Sequence, residues 1–235
     1  NRWLWNESDP ADDKSDLLTK LTKGEVHAIT TILRIFTMFE LSVGDYWIDR
    51  VYKVFDRPEI KTIASLITNF ETGIHARSYQ RINETLLGSN ISDFYLEYKD
   101  ISELKSRITY LKECLRSDDD LLAFSAFTFT EGASLFSMFA TIAHWQSPQF
   151  NKNLLKNTVG TITLSSIDED FHAKVNATLV NIIVKELGGW PKELPEKINK
   201  MAMDIYNLES GILDLVFKLG IPQLNKPDML EFVKH

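Results

Sequence analysis

Cysteine is almost missing from this chain. Cys114 is the only one in 235 residues, which excludes an intramolecular disulfide framework. Proline and glycine are also scarce, at seven and ten residues, and they fall mostly between long stretches of helical periodicity. No run alternates apolar and polar residues for long enough to read as a strand, so the chain is expected to be all-α. A clustered run of Lys and Arg is lacking too. With a formal charge of −7 and a pI near 5.3, this argues against nucleic acid as a partner. Neither a secretory signal nor an uninterrupted apolar run of membrane length stands out, so the expected compartment is the cytoplasm and no membrane partner is expected. Asn-x-Ser/Thr triplets at Asn6, Asn83, Asn90 and Asn176 carry little weight outside a secreted protein.

What is present suits one compact domain over residues 1–235. The chain is long enough to bury a sizeable core, and 44% hydrophobic with 25% charged residues is ordinary for a globular protein. It opens at Asn1 and stops at His235 inside a helical pattern, so both termini are expected to be truncated and a C-terminal tail to be absent. The periodicity predicts helices at about Lys23–Val54, Arg57–Leu87, Ile101–Arg116, Asp118–Trp145, Leu154–Leu187, Glu196–Leu219 and from Lys226 onward. Pro58 suits a first helical turn, Lys185 with Gly188-Gly189 marks a helix end, and Pro191, Pro195 and Pro222 are read as lying in connections. Long helices with short joints predict a bundle of roughly antiparallel neighbours.

Four acids interrupt apolar helix faces. Glu131 sits in FSAFTFTEGASLFSMFATIAHW, apolar all round, where an ionised carboxylate without a partner costs many kcal/mol. Glu40 lies in ILRIFTMFELSVG, Glu71 in IASLITNFETGIHARSY and Glu169 in ITLSSIDEDFHAKV. Two of these carry a histidine one turn later, Glu71 with His75 and Glu169 with His172, so each pair can turn an oxygen and an imidazole nitrogen toward one ion. Glu40 and Glu71 are 31 positions apart and Glu131 and Glu169 are 38 apart, the spacing of mid-helix positions on antiparallel neighbours of about 30 residues. One Glu from each of two helices and a Glu/His pair from each of two others is the ligand set of ferritin-like di-iron and di-manganese bundles. His27, His144 and Cys114 have no such context and are assigned no role.

At FETGIHARSY, EGASLFSMFA and IDEDFH the chain resembles the small subunit of class I ribonucleotide reductase, from about Trp3 to its last residue. The family's Glu, His and following Tyr are matched by Glu71, His75 and Tyr79, and its Asp-Glu-x-x-His by Asp168, Glu169 and His172. The resemblance implies a di-metal site that reacts with dioxygen and a radical on Tyr79 that passes to a large catalytic subunit for ribonucleotide reduction. It implies a homodimer as well. Asp168 would orient His75 and link it to an N-terminal tryptophan, with Trp5 the first choice and Trp3 the second. Three departures stand out. Glu71 and His75 are separated by one residue more than the family spacing, which predicts a π-bulge near Gly73 or a longer reach by Glu71. Glu40 replaces the Asp of many members, as in some that use manganese with iron, so an iron pair is the first expectation and Mn/Fe or Mn/Mn the alternatives. The tail tyrosine used for radical transfer is not in the sequence. A ferritin-like oxidase acting on a lipid or small molecule is the alternative function.

Overall fold

A computed structural model of the protein describes residues 3–88, 91–96 and 100–234, so Asn90, Asn1 and His235 lie outside the described residues. Among the described residues, seven longer helices carry the architecture. They are α1 (Lys23–Val54), α2 (residues 58–87), α3 (Ser102–Leu115), α4 (Asp120–Gln146), α5 (Lys156–Glu186), α6 (Leu194–Val216) and α7 (Lys226–Val233). Shorter helical segments at Pro10–Asp13, Lys14–Thr19 and Ile91–Leu96 are not legible from periodicity. Among the described residues no strand occurs, only an isolated bridge between Ile221 and Leu224.

The helix ends follow from local chemistry. Thr22 and Glu25 form a reciprocal capping box at the start of α1, satisfying amides that have no partner within the helix. Pro58 opens α2, where its missing N–H costs nothing. The start of α5 is capped from far away in sequence, because the Asp13 carboxylate accepts from the backbone N–H groups of Asn157 at 3.2 Å and Thr158 at 2.6 Å. At its other end Gly188 takes a φ of 78°, and Gly189 N–H returns to the Val184 carbonyl at 2.9 Å. One boundary differs from the sequence reading. Pro195 lies in the first turn of α6, not in a connection, since the helix begins at Leu194 and that position needs no amide hydrogen.

α1 packs on α2, α4 on α5, and α6 lies against α1, α3 and α4. On α1 the buried residues Ile29, Ile32, Leu33, Phe36, Phe39, Val43 and Trp47 recur with helical period and share one apolar core with Phe124, Phe127 and Leu135 of α4 and Ile162 of α5. Glu40 falls on that same face and is fully buried. Among the described residues two helices, Lys23–Val54 and Asp120–Gln146, are long and apolar enough by length and composition to cross a membrane, although charged residues interrupt both. Their apolar windows are 56% and 67% buried inside the bundle.

Three of the helices are not regular. Single π-turns occupy Trp47–Val51 in α1, Glu71–His75 in α2 and Thr130–Ser134 in α4. Each inserts one residue into the ladder and rotates the C-terminal part of its helix relative to the N-terminal part, and such bulges concentrate at functional sites. The one at Glu71–His75 coincides with the long Glu-to-His spacing. The other two have no signature that periodicity reveals.

Candidate metal centre

α1, α2, α4 and α5 each contribute to a cluster inside the bundle. Glu40, Glu71, Glu131, Glu169 and His75 are 0% exposed and His172 is 1% exposed. Glu40, Glu71, His75 and Glu169 offer ligand atoms that all lie within 4.8 Å of one another. Nδ1 of His75 is 2.9 Å from Glu71 Oε2, 3.0 Å from Glu169 Oε1 and 3.9 Å from Glu40 Oε2. Nδ1 of His172 is 2.7 Å from Glu71 Oε1 and 3.4 Å from Glu169 Oε2. Glu71 and Glu169 therefore each turn one oxygen to one histidine and the other oxygen to the second, as bridging carboxylates do, while Glu40 lies on the His75 side.

Glu131 stands at the other side of the cluster. Its Oε1 accepts from the indole N–H of Trp47 at 3.1 Å, and its Oε2 has no hydrogen-bond partner. Both oxygens of Glu40 also lack one, while Glu71 Oε1 and Glu169 Oε1 have only an imidazole nitrogen within reach. Native interiors leave few buried polar atoms unpaired, and an unpaired carboxylate oxygen costs about 1–3 kcal/mol or more. So many in one place call for cations. Fully ionised, the four carboxylates would carry four negative charges, which two divalent ions would balance, and the oxygen-rich set with one imidazole at each end suits iron or manganese.

The electrostatics express the same crowding. Burial pushes the Glu40 carboxyl well above its usual range, and the charges of Glu169 and Glu71 add to this. Glu131 is raised for the same reasons. Glu71 goes the other way, because the charges of His172 and His75 together outweigh the effect of its burial. Both histidines are raised despite burial, chiefly by Glu71.

Around this cluster lies a supporting layer. Nε2 of His75 is 3.1 Å from Asp168 Oδ2, and the same oxygen accepts from the indole N–H of Trp3 at 2.7 Å. The indole that reaches Asp168 is that of Trp3, not the first-choice Trp5. Trp5 is held two residues further along the arm, where its ring covers the Arg77 guanidinium at 4.0 Å. Tyr79 is fully buried one turn beyond His75 and stacks on Phe36 with centroids 5.2 Å apart. Burial, then the charge of Glu40, raises its phenol well above the ordinary value. Gly132, next to Glu131, packs so closely on α5 that a Cβ there would sit 3.1 Å from the Cβ of Ala173, beside His172.

Trp47 escaped the sequence reading, although it lies seven residues after Glu40 and so two turns along the same face. The residues left unassigned do pack elsewhere. A ring nitrogen of His27 is 2.8 Å from the Leu215 carbonyl, His144 is buried against Trp145 and Phe150, and Cys114 is buried with its thiol pushed up to about 11 by burial.

Comparison with known proteins sets this geometry in a family. The model of the ribonucleotide reductase small chain matches residues 1–235. A probable ribonucleoside-diphosphate reductase small subunit of Invertebrate iridescent virus 6 is 27% identical over 242 residues, covering 93% of this chain and 65% of that protein. One of Invertebrate iridescent virus 3 is 26% identical over 263 residues, covering 99% and 66%. The chain thus spans about two thirds of the length of these relatives. Among solved structures, dimanganese(II) NrdF of Streptococcus sanguinis superposes with a TM-score of 0.87 at 18% identity, over 99% of this chain and 80% of that one. The R2 subunit of Clostridium botulinum gives 0.86 at 20%, over 99% and 74%. A variant of an R2-like ligand-binding oxidase with a Mn/Fe cofactor gives 0.75 at 16%, over 99% and 84%. These structures share the ferritin-like helical bundle. The family match extends over every residue that builds the buried cluster, and the chain belongs to the ribonucleotide reductase small chains.

Proposed function

We propose that this protein is the radical-generating small subunit of a ribonucleoside-diphosphate reductase. In this reading Glu40, Glu71, His75 and Glu169 hold one metal, and Glu71, Glu131, Glu169 and His172 hold a second. The observation that carries it is the sharing of Glu71 and Glu169 between the two imidazoles, with orphaned oxygens of Glu40 and Glu131 on either side. Bound iron or manganese supplies the redox equivalents with which dioxygen is activated and a nearby side chain is oxidised.

The protein's own groups do the rest. For His75 to offer the Nδ1 lone pair, its proton must sit on Nε2, and Asp168 accepts it there. Trp3, hydrogen-bonded to the same carboxylate, links the centre to the N-terminal arm and carries an electron inward. Tyr79 would give one electron to the oxidised centre and its phenolic proton to the dioxygen being reduced there, and a dry pocket lined by Phe36 would shield the radical from water. The radical is then passed to a large catalytic subunit, with the small subunit acting as a homodimer in the cytoplasm.

Metal analysis with electron paramagnetic resonance tests this. Anaerobic loading with Fe(II), or with Mn(II) and Fe(II), should give about two ions per chain, the loading of the di-metal bundle pattern. Oxygen should then raise a tyrosyl signal that is absent in Tyr79→Phe. Protein that takes up no metal would sink the reading. Two ions without a tyrosyl signal for any metal pair would move the assignment to an oxidase.

A further inference from the structure

We propose that Glu209 and Arg107, which touch no candidate ligand, form a positioning device that sets the register of Glu131; this rests on the di-metal reading above. Glu209 of α6 is 0% exposed and Arg107 of α3 is 4% exposed, with Arg107 Nη1 3.2 Å from Glu209 Oε2. Glu209 also accepts from the hydroxyls of Ser134, at 2.7 Å, and Ser137. Ser134 closes the π-turn that carries Glu131. The Arg107 guanidinium lies 4.8 Å from the ring centroid of Phe39, the residue before Glu40. One buried ion pair thus grips both helices that supply the unshared carboxylates.

Two features set this apart from ordinary packing. Thr128, Thr130 and Thr141 of α4 return their hydroxyls to carbonyls four residues back, whereas Ser134 sends its own across to another helix. Burying an ion pair is a poor route to stability, because well-packed apolar residues of the same volume do as well or better, and fixing register is a recognised use for one. The π-turn is where register needs fixing, since the extra residue leaves its geometry undetermined by the helix itself.

The test is stepwise metal titration of the full chain, with Mn(II) resonance and metal analysis as readouts. Glu209→Ala should weaken the ion on the Glu131/His172 side by about 10- to 100-fold, the range seen for partners that orient ligands. Glu209→Gln, whose amide oxygen accepts from one serine while its NH2 can donate to the hydroxyl oxygen of the other, should recover part of that loss. Leu213→Ala, a buried cavity variant on the same helix, controls for stability and should leave both affinities unchanged. Should Glu209→Ala not fold, Ser134→Ala with Ser137→Ala keeps the ion pair and should show the same one-sided loss. Equal metal affinities in the Glu209 and Leu213 variants would overturn the proposal. Failure of the unaltered protein to bind metal would instead overturn the reading beneath it.

Discussion

Replacing Glu131 by Gln should make the metal-free protein more stable and the metal-bound protein less so. In the metal-free state Glu131 is fully buried, its Oε2 has no partner, and the nearby charges of Glu169 and Glu71 oppose its ionisation. The amide keeps an oxygen for the Trp47 indole and places an NH2 donor among carboxylates where an unpaired acceptor stood. Relief of one unsatisfied buried group is worth about 1–3 kcal/mol. For a chain of this size each kcal/mol moves the midpoint by roughly 2–4 °C, so the metal-free variant should melt about 2–12 °C higher. With metal the order reverses. A ligand at 100 times its Kd stabilises by about 2.7 kcal/mol, and the variant forfeits this for at least one ion because the amide carries no charge. The assay is thermal unfolding with chelator and with excess Mn(II) or Fe(II), paired with a metal count. A variant that unfolds at a lower temperature under chelator, or that still binds two ions as tightly, would refute the reasoning.

Trp3→Phe should weaken metal binding on the His75 side by about tenfold, the lower end for loss of an orienting partner, while Trp5→Phe leaves it unchanged, and calorimetric titration checks both. Glu25 supports stability with a defined pH dependence. Burial would raise its carboxyl, yet the Lys152 ammonium and the Thr22 amide and hydroxyl hold it below its ordinary value of 4.5. A depressed folded-state pKa contributes stability that is present above the unfolded value and lost as pH falls through the folded one. Glu25→Gln should therefore cost about 1–3 kcal/mol at pH 7, as for a hydrogen bond to a charged group, and the gap to the unaltered protein should close as the pH drops below 4.5 in denaturant titrations.

Much of the bundle is legible in the amino-acid order alone, because a helix reports its buried face through its period and the main helices here are long. The acids at 40, 71, 131 and 169 are conspicuous as polar residues on apolar faces, and the structure brings all four together with both histidines. The choice between Trp3 and Trp5 was not readable. Both lie in a non-helical arm, where no period tells which indole turns inward. The π-turns at Trp47–Val51 and Thr130–Ser134 were equally silent, since they arise from the packing of side chains on neighbouring helices. Glu209 was overlooked because its partner Arg107 is 102 positions away and α6 carries other acids nearby that remain on the surface.

The closed packing around the six candidate ligands has a kinetic consequence. An ion in solution finds no ligand atom to strike, because every one of these carboxylates is at 0% exposure and the histidines are sealed as well. Uptake must wait for the bundle to breathe, and local opening of a folded protein proceeds at a rate of its own. The speed of loading should therefore level off as the metal concentration rises, at a ceiling set by the protein. The same closure holds the ions once they are seated, so exchange with a competing metal is limited by the same opening. On the di-metal reading, the metal found in the protein should then depend on which was at hand when the bundle last opened.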